Sequence, residues 1–308
     1  MIQIFDFQND FLSQIFLDMK VAIFGNIYRP VIINSIKVLF DFFSEKQIPL
    51  MLDSDLYDFL VHIGGYRLEN VEKIENDNFK ADVALSIGGD GTFLNTAARI
   101  GDKEIPIIGI NTGRLGFLTD VSNDEIIEAL EALLEGKFRI EERTLLLVKT
   151  SDGTPLQYPY ALNEVSVLKQ DSSSMISINA SVNGELIHTY QADGLLVSTP
   201  TGSTAYSMSV GGPIVVPQAQ NFILSPVASH SLNVRPLIIP DNWNIDLEVH
   251  SRTHSYLVAL DGRSKVLEQT TQLHIAKAPF TIKVIKQLQH TFFDTLKKKL
   301  MWGVDKRN

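Results

Sequence analysis

The stretch that most constrains this chain is the sequence GGDGT at residues 88–92. An apolar run of strand length precedes it at 81–87, and a run rich in helix formers follows it at 93–100. These patterns predict a buried strand that ends in a glycine turn, from which a helix begins. Three glycines in four positions let the turn bend sharply and bring its backbone N–H groups close to a ligand.

The predicted turn is suited to binding phosphate. The N-terminus of the following helix adds N–H donors and a partial positive charge, both of which favour an anion. Asp90 is a lone carboxylate in this turn and would repel a bound phosphate, so phosphate binding alone does not explain it. A role in accepting a proton from a hydroxyl, or in holding a metal ion, would explain it. The alternative is a turn without a ligand, because Asp and Gly are also frequent in tight turns.

Strands alternate with helical patterns through the first part of the chain. Further strands are predicted at 21–24, 49–52 and 106–111, and apolar residues recur at helical spacing between 31 and 45. This alternation predicts an open parallel α/β sheet, in which ligands bind at the carboxyl ends of the strands. The glycine-containing segment 111–120 is therefore expected at the same edge of the sheet as the GGDGT turn.

Composition limits the class of protein. With 308 residues, the chain is long enough for two domains with sizeable cores. It has no cysteine, which excludes disulfides and fits a cytoplasmic location. The net charge of -9 argues against a nucleic-acid or membrane-surface partner, and no apolar run approaches the ~20 residues of a spanning helix. Residues 1–18 lack the basic leading region of a signal peptide and are interpreted as an appended helix or a mis-chosen start.

Beyond residue 139 helical patterns become scarce, and short strands joined by turns dominate. We therefore predict an N-terminal open parallel α/β domain over 1–125 and a C-terminal, mostly β domain over 138–285. A final helix within 288–308 is expected to complete the first domain. Its three consecutive lysines, 297–299, are expected to form a solvated face.

A second polar concentration lies in the predicted β domain, within 191–213. Five Ser or Thr hydroxyls between 198 and 204 suit the oxygens of ribose and phosphate. Asn163 and Glu164 interrupt an apolar strand, and a buried polar pair needs partners, which favours a ligand-facing position. The alternatives are a surface turn rich in Ser and Thr and a polar pair on an edge strand.

Four segments, in this order and spacing, resemble the NAD kinase family. They are GGDGT at 88–92, NTGRLGFLTD at 111–120, the Asn163-Glu164 pair, and DGLLVSTPTGSTAYSMSVGGP at 193–213. The GGDGT element alone is not specific, because diacylglycerol kinases, sphingosine kinases and phosphofructokinases carry similar turns. The long 193–213 segment is specific to NAD kinases, and the resemblance spans about 21–285.

This resemblance implies transfer of a phosphoryl group from ATP to the adenosine-ribose 2′-hydroxyl of NAD, giving NADP, with a divalent cation (Mg²⁺ or Mn²⁺). It also implies a homodimer or homotetramer. Asp90 matches the family's proposed general base, and no protein ligand is assigned to the metal. The positions that match the ATP-phosphate turn are Gly88, Gly89, Gly91 and Thr92. The positions that match contacts to NAD are Asp90, Gly91, Phe117, Asn163, Glu164, Gln191, Asp193, Thr204, Ala205, Tyr206 and Ser209.

One position departs from the family pattern. Many bacterial members have Arg two residues before the Asp-Gly pair, where this chain has Gln191. Arg carries a fixed positive charge, and the oxidised and reduced nicotinamides differ by one charge. We therefore expect the exchange to alter discrimination between NAD and NADH.

Two other functions stay open on the sequence alone. A lipid or sugar kinase that shares only the GGDGT turn would need an apolar acyl pocket or basic residues for a sugar phosphate. The 193–213 segment offers neither signature. A non-catalytic nucleotide-binding module would bind NAD without turnover, so an assay with ATP, magnesium and NAD separates it from a kinase.

Overall fold

The computed structural model describes residues 19–28, 32–68, 70–113, 115–171 and 174–303. The interpretation of residues 1–18 lies outside these ranges. The chain divides into two compact units, one drawn from 1–142 and 282–308 and the other from 143–281. The predicted fold class, a parallel α/β region followed by a mostly β region, is confirmed. No helix in the described ranges is long and apolar enough to span a bilayer.

The first unit is built on a parallel sheet. Its main strands are β1 (Val21–Gly25), β2 (Leu50–Asp53), β3 (Val71–Ile74), β4 (Val83–Gly88) and β5 (Ile107–Asn111). They lie in the order β3-β2-β1-β4-β5, and each neighbouring pair is parallel. A short strand, β6 (Val121–Ser122), pairs with the end of β5. Because Gly88 pairs with Asn111, the segments that follow β4 and β5 begin side by side.

Helices pack on this sheet through one apolar face each. They are α1 (Ile32–Glu45), α2 (Ser54–His62), α3 (Asp90–Ile100) and α4 (Ile126–Leu134), the last preceded by a 3-10 turn at Asn123–Glu125. In α1 the helical spacing of Ile36, Leu39 and Phe43 places all three in the core, where each is fully buried. Each such side chain contributes roughly 1.5–3 kcal/mol of transfer free energy.

The second unit is mostly antiparallel β structure. Its strands are β7 (Phe138–Thr150), β8 (Tyr160–Ala161), β9 (Glu164–Leu168), β10 (Ile176–Val182), β11 (Glu185–Ala192), β12 (Gly194–Ser198), β13 (Asn221–Val227), β14 (Leu237–Pro240), β15 (Ile245–His250), β16 (Ser255–Leu260), β17 (Arg263–Glu268) and β18 (Leu273–Gln287). A 3-10 turn (Thr201–Thr204) and a one-turn helix, α5 (Tyr206–Ser209), follow β12.

Two strand groups share the core of this unit. One is a six-stranded sheet in the order β14-β13-β12-β9-β16-β17, and the other runs β11-β10-β15-β18. Burial alternates along β10, as the two-residue period of a strand requires when one face meets the core. The hydroxyl-rich loop begins where β12, buried at all five positions, ends.

The end of the chain belongs to the first unit. Val284, near the end of β18, pairs in parallel with Ile107 of β5. The last helix, α6 (Phe292–Leu300), begins with a capping box, because Thr291 and Asp294 each accept a hydrogen bond from the other's backbone N–H.

Gly109, in the middle of β5, lies against the backbone of the segment that follows the strand. A Cβ atom there would be 2.5 Å from the carbonyl oxygen of Leu118 and 2.8 Å from Cα of Thr119. Both are backbone atoms, which cannot rotate away, so the close approach requires glycine at this position.

We therefore expect Gly109→Ala to lower the stability of the first unit by about 1–3 kcal/mol through overpacking, seen as a lower melting temperature. The matched control is Gly91→Ala, because no atom from the rest of the described chain lies within 4 Å of its added Cβ and the position is helical. That control should be neutral or slightly stabilising. Equal melting temperatures for the two variants would contradict the close contact.

Candidate functional site

The predicted strand–turn–helix around GGDGT is confirmed. β4 ends at Gly88 and α3 begins at Asp90. A side chain at position 88 would overlap Thr92, so the turn needs glycine there. In contrast, the Cβ positions of Gly89 and Gly91 have no atom of another described segment within 4 Å, which leaves space for a ligand against the first turn of α3. N–H groups at the start of a helix favour an anion, although that of Thr92 already donates to the carbonyl of Gly89 at 2.9 Å.

The carboxylate of Asp90 is held by the backbone of the segment after β5. Its Oδ1 accepts hydrogen bonds from the N–H groups of Leu118 and Thr119, both at 3.1 Å, and from the Thr119 hydroxyl at 3.0 Å. Its Oδ2 accepts from the N–H of Phe117 at 2.9 Å. The second predicted motif, NTGRLGFLTD, therefore contributes a set of donors that fixes Asp90.

Local contacts shape this donor segment. The side chain of Asn111 accepts from the N–H of Gly113 at 2.6 Å and donates to the Thr119 hydroxyl at 3.1 Å. The N–H of Gly116 donates to the Thr119 carbonyl at 3.1 Å, which closes the turn. A Cβ atom on Gly116 would overlap the carboxylate of Asp90, so only glycine leaves room for it.

A buried ion pair anchors the same segment to β18. Nζ of Lys286 lies 2.9 Å from Oδ2 of Asp120, and the two side chains are only 6% and 8% exposed. Nζ also donates to the carbonyl oxygen of Leu118 at 3.5 Å. These two contacts hold the backbone that carries the Asp90 donors. Removing either partner of the ion pair would leave a buried, unpaired charge.

Helix α6 brings a lysine to Asp90. Nζ of Lys299 lies 3.4 Å from Oδ2 of Asp90 and 4.6 Å from the centre of the Phe117 ring, and Phe117 also meets Phe292 with ring centres 6.1 Å apart. The three lysines of α6 are exposed, as expected of a solvated face, and Lys299 in addition contacts Asp90. Burial raises the pKa of Asp90, but Lys299 and the three backbone N–H groups outweigh burial, so this pKa lies below its ordinary value.

In the second unit, the predicted Asn163-Glu164 pair adjoins the hydroxyl-rich loop. The carbonyl of Asn163 accepts from the N–H of Thr199 at 2.9 Å, and a Cβ atom on Gly202 would overlap the same carbonyl. Glu164 accepts a hydrogen bond from the backbone of Tyr206. The structure thus brings together residues that are about forty positions apart in the chain.

Asp261 is a functional candidate that the sequence analysis missed. Its side chain is 3% exposed and accepts hydrogen bonds from the N–H groups of Leu162, Asn163 and Glu164 at 2.7, 2.8 and 3.2 Å. Asp261 and Gly262 form the two-residue turn between β16 and β17, with φ angles of 47° and 84°. The sequence signal available was therefore a hairpin turn, which conceals the second role of this carboxylate.

Glu164 has an unusual protonation equilibrium. Burial and the neighbouring Asp261 raise its pKa to about 7, against an opposing hydrogen bond from the Tyr206 backbone. Within the described ranges, three buried oxygen atoms of this group have no hydrogen-bond partner: Glu164 Oε2, Ser198 Oγ and Thr201 Oγ1. Unpaired buried acceptors and hydroxyls are suited to a polar ligand such as a ribose.

The remaining predicted NAD positions have varied surroundings. Thr204 ends the 3-10 turn, and Ala205, Tyr206 and Ser209 form or flank α5, with Tyr206 37% exposed. Asp193 pairs with Lys169 at 2.6 Å. Gln191 donates to the Ser177 hydroxyl at 2.9 Å.

Gln191 lines a cleft of about 570 Å³. The cleft residues are Lys169, Ser174, Met175, Ser177, Gln191, His250, Ser251 and Arg252. The effect of Gln191 on the choice between NAD and NADH stays a prediction.

The described residues contain no group of three or more His, Asp or Glu side chains arranged to hold a metal ion. Asp90 is a single carboxylate whose oxygens already accept several donors. A divalent cation bound here would therefore take most of its ligands from nucleotide phosphates and water, as Mg²⁺ often does.

Residues 23–138 match the ATP-NAD kinase N-terminal domain, and residues 162–287 match the ATP-NAD kinase C-terminal domain. An NAD kinase of Bacteroides fragilis is 49% identical over 289 residues, covering 94% of this chain and 100% of that protein. This chain belongs to the NAD kinase family. An NAD kinase of Porphyromonas gingivalis is 45% identical over 284 residues, with 92% of this chain and 98% of that protein covered. The family is one of kinases, so the chain is a phosphotransferase.

Two solved structures share the fold of this NAD kinase family member. An NAD kinase from Archaeoglobus fulgidus in complex with ATP superposes with a TM-score of 0.71 at 26% identity, covering 92% of this chain and 99% of that one. Yeast NADH kinase complexed with NADH gives a TM-score of 0.84 at 21% identity, covering 94% and 89%. At the lower identity the likeness shows the fold alone.

The pKa of Glu164 gives a testable pH dependence. An unfolded Glu titrates near 4.5 and folded Glu164 near 7, so between these values only the folded state keeps the proton. Its contribution to stability is present below pH 4.5 and is lost as pH rises through 7, by on the order of 2–3 kcal/mol. Urea unfolding at pH 5 and pH 8 should show this loss in the wild type and not in Glu164→Gln. The exposed Glu268→Gln is the control and should keep the wild-type dependence.

Proposed function

We propose that this chain transfers the γ-phosphoryl group of ATP to the adenosine-ribose 2′-hydroxyl of NAD, with Asp90 as the general base. The observation that carries the proposal is the placement of an ionised carboxylate at the first residue of α3, in a turn built for phosphate. Family membership supports the substrates, and the ATP bound to the Archaeoglobus fulgidus NAD kinase supports the donor.

The ATP phosphates are assigned to the turn formed by Gly88, Gly89, Gly91 and Thr92. Open space at Gly89 and Gly91 lets phosphate oxygens approach the N–H groups of α3. The divalent cation that the family implies, Mg²⁺ or Mn²⁺, would neutralise phosphate charge when bound.

In the transfer step, the 2′-oxygen of the ribose forms a bond to the γ-phosphorus as the bond to the β-phosphate oxygen breaks, releasing ADP. The hydroxyl proton passes to the Asp90 carboxylate. Oδ1 already accepts three hydrogen bonds of 3.0–3.1 Å, whereas Oδ2 accepts one of 2.9 Å from Phe117 and a longer contact of 3.4 Å from Lys299. Oδ2 is therefore the oxygen with capacity for the substrate hydroxyl.

The positions assigned to NAD include Phe117 and the group around Asn163, Glu164 and Tyr206. The unpartnered oxygen of Glu164 and the loop hydroxyls match the hydrogen-bonding groups of a nucleotide sugar. The other assigned positions are Gly91, Gln191, Asp193, Thr204, Ala205 and Ser209. A cytoplasmic location and a homodimer or homotetramer are part of the same proposal and rest on the family.

Asp90→Asn keeps the side-chain size and removes the charge. We expect kcat to fall by about 10²–10⁴-fold, the usual contribution of a general base. NAD affinity measured by calorimetry should stay within about tenfold, or roughly 1.4 kcal/mol.

The rival role for Asp90 is a magnesium ligand. That role predicts partial recovery of kcat for Asp90→Asn at high magnesium or with manganese, which loss of a base does not. A metal titration of the variant therefore separates the two roles. Near-normal turnover would remove Asp90 from the mechanism altogether.

Tyr206→Ala should raise the KM for NAD more than the KM for ATP. An exposed aromatic ring beside the hydroxyl-rich loop offers a stacking face and a hydroxyl to the adenosine half of NAD. Tyr206→Phe is the matched variant, because it keeps the ring and should lose less. If only the KM for ATP rises, the two nucleotide sites have been assigned the wrong way round.

A further inference from the structure

Lys299 is the side chain of α6 that reaches the carboxylate of Asp90. Its Nζ is 3.4 Å from Oδ2, and the side chain is 31% exposed, so it is neither free in solvent nor fully buried. The Phe117 ring, 4.6 Å away, holds the ammonium on a second side through a cation–π contact. Two independent contacts therefore fix this lysine beside the turn, although it belongs to a run of three lysines.

A carboxylate inside a phosphate turn creates an electrostatic conflict. A nucleoside triphosphate brings several negative charges next to Asp90, which repels the ligand and favours protonation of the carboxylate. Either effect would impair a base that must be ionised while ATP is bound. A fixed positive charge close to Asp90 itself, and not only near the phosphates, would offset both the repulsion and the protonation.

Among the residues that the structure describes, which leave out Arg114, the other charges close to Asp90 do not meet this need. On the donor segment, Asp120 is paired with Lys286 of β18 in a buried contact of 2.9 Å, so that positive charge is already balanced. The remaining donors to Asp90 are the backbone N–H groups of 117–119 and the Thr119 hydroxyl, which are neutral. In α3, Arg99 is in the last turn and pairs with Asp53 and Asp77.

We propose that Lys299 is the counter-ion of Asp90, a positioning residue that keeps the carboxylate ionised and in place when the phosphates of ATP bind beside it. This proposal rests on the proposed function. It assigns Lys299 a role through Asp90, in contrast to a direct contact with phosphate. It also explains how a carboxylate is tolerated in an anion-binding turn.

A double-mutant cycle separates these two roles. Calorimetry measures the Kd for ATP with magnesium, in the absence of NAD, for the wild type, Lys299→Met, Asp90→Asn and the double variant. We expect Lys299→Met alone to weaken ATP binding by roughly tenfold. In the Asp90→Asn background the same change should have less than about a twofold effect, because the repulsion it offsets is gone.

A second readout is the pH profile of kcat. Without Lys299 the pKa of Asp90 rises, so the acid limb of the profile should move to higher pH. Lys299→Arg keeps the charge and should restore most of the wild-type profile. Lys297→Met, on the exposed side of the same helix, is the control and should leave both the profile and the Kd for ATP unchanged.

The outcomes are distinct. An equal loss of ATP affinity on Lys299→Met in both backgrounds would overturn the proposal and make Lys299 a phosphate ligand. No loss in either background, with an unmoved acid limb, would also overturn it. Normal turnover by Asp90→Asn would instead refute the proposed base, while the cycle of ATP affinities would still report on the charge pair. Melting temperatures, together with a Lys299→Gln variant, guard against a folding defect.

Discussion

The placement of a partly buried carboxylate at the start of a helix is the constraint on which the first unit depends. A negative charge removed from water is stable only when donors surround it, and Asp90 receives them from three successive backbone N–H groups. Those groups converge only because the segment after β5 is bent at Gly116 and held by Asn111 and by the Lys286–Asp120 pair. The edge of the sheet, the NTGRLGFLTD segment and β18 therefore all contribute to holding the side chain of Asp90.

Membership of the NAD kinase family restricts the possible reaction more than the GGDGT turn alone does. GGDGT is compatible with several classes of kinase, but similarity to NAD kinases extends over 94% of the chain. The hydroxyl-rich loop also adjoins the Asn163-Glu164 pair, as a site for a nucleotide sugar would require. The hypothesis of a lipid or sugar kinase does not explain why the loop lies beside Asn163 and Glu164.

Local sequence patterns were sufficient to predict most of the fold, because strands, turns and helices form between residues that are close in the chain. The apolar run before residue 88 becomes β4, and the glycine turn begins α3. Lys299, Lys286 and Asp261 could not be found this way. Lys299 and Asp90 are 209 residues apart, and no spacing rule links such a pair. In the sequence, Asp261 is explained as part of a hairpin turn and Lys299 as part of an exposed lysine run. Neither pattern indicates a second contact at the candidate site.

The division of the chain has a consequence for the order in which it matures on the ribosome. The second unit is continuous, 143–281, and can acquire its core while synthesis proceeds. The first unit is interrupted, and two of its pieces, the end of β18 with Lys286 and helix α6 with Lys299, are made only after the second unit. The phosphate turn is thus translated before the second unit, whereas Lys299, the lysine that contacts Asp90, is translated after it.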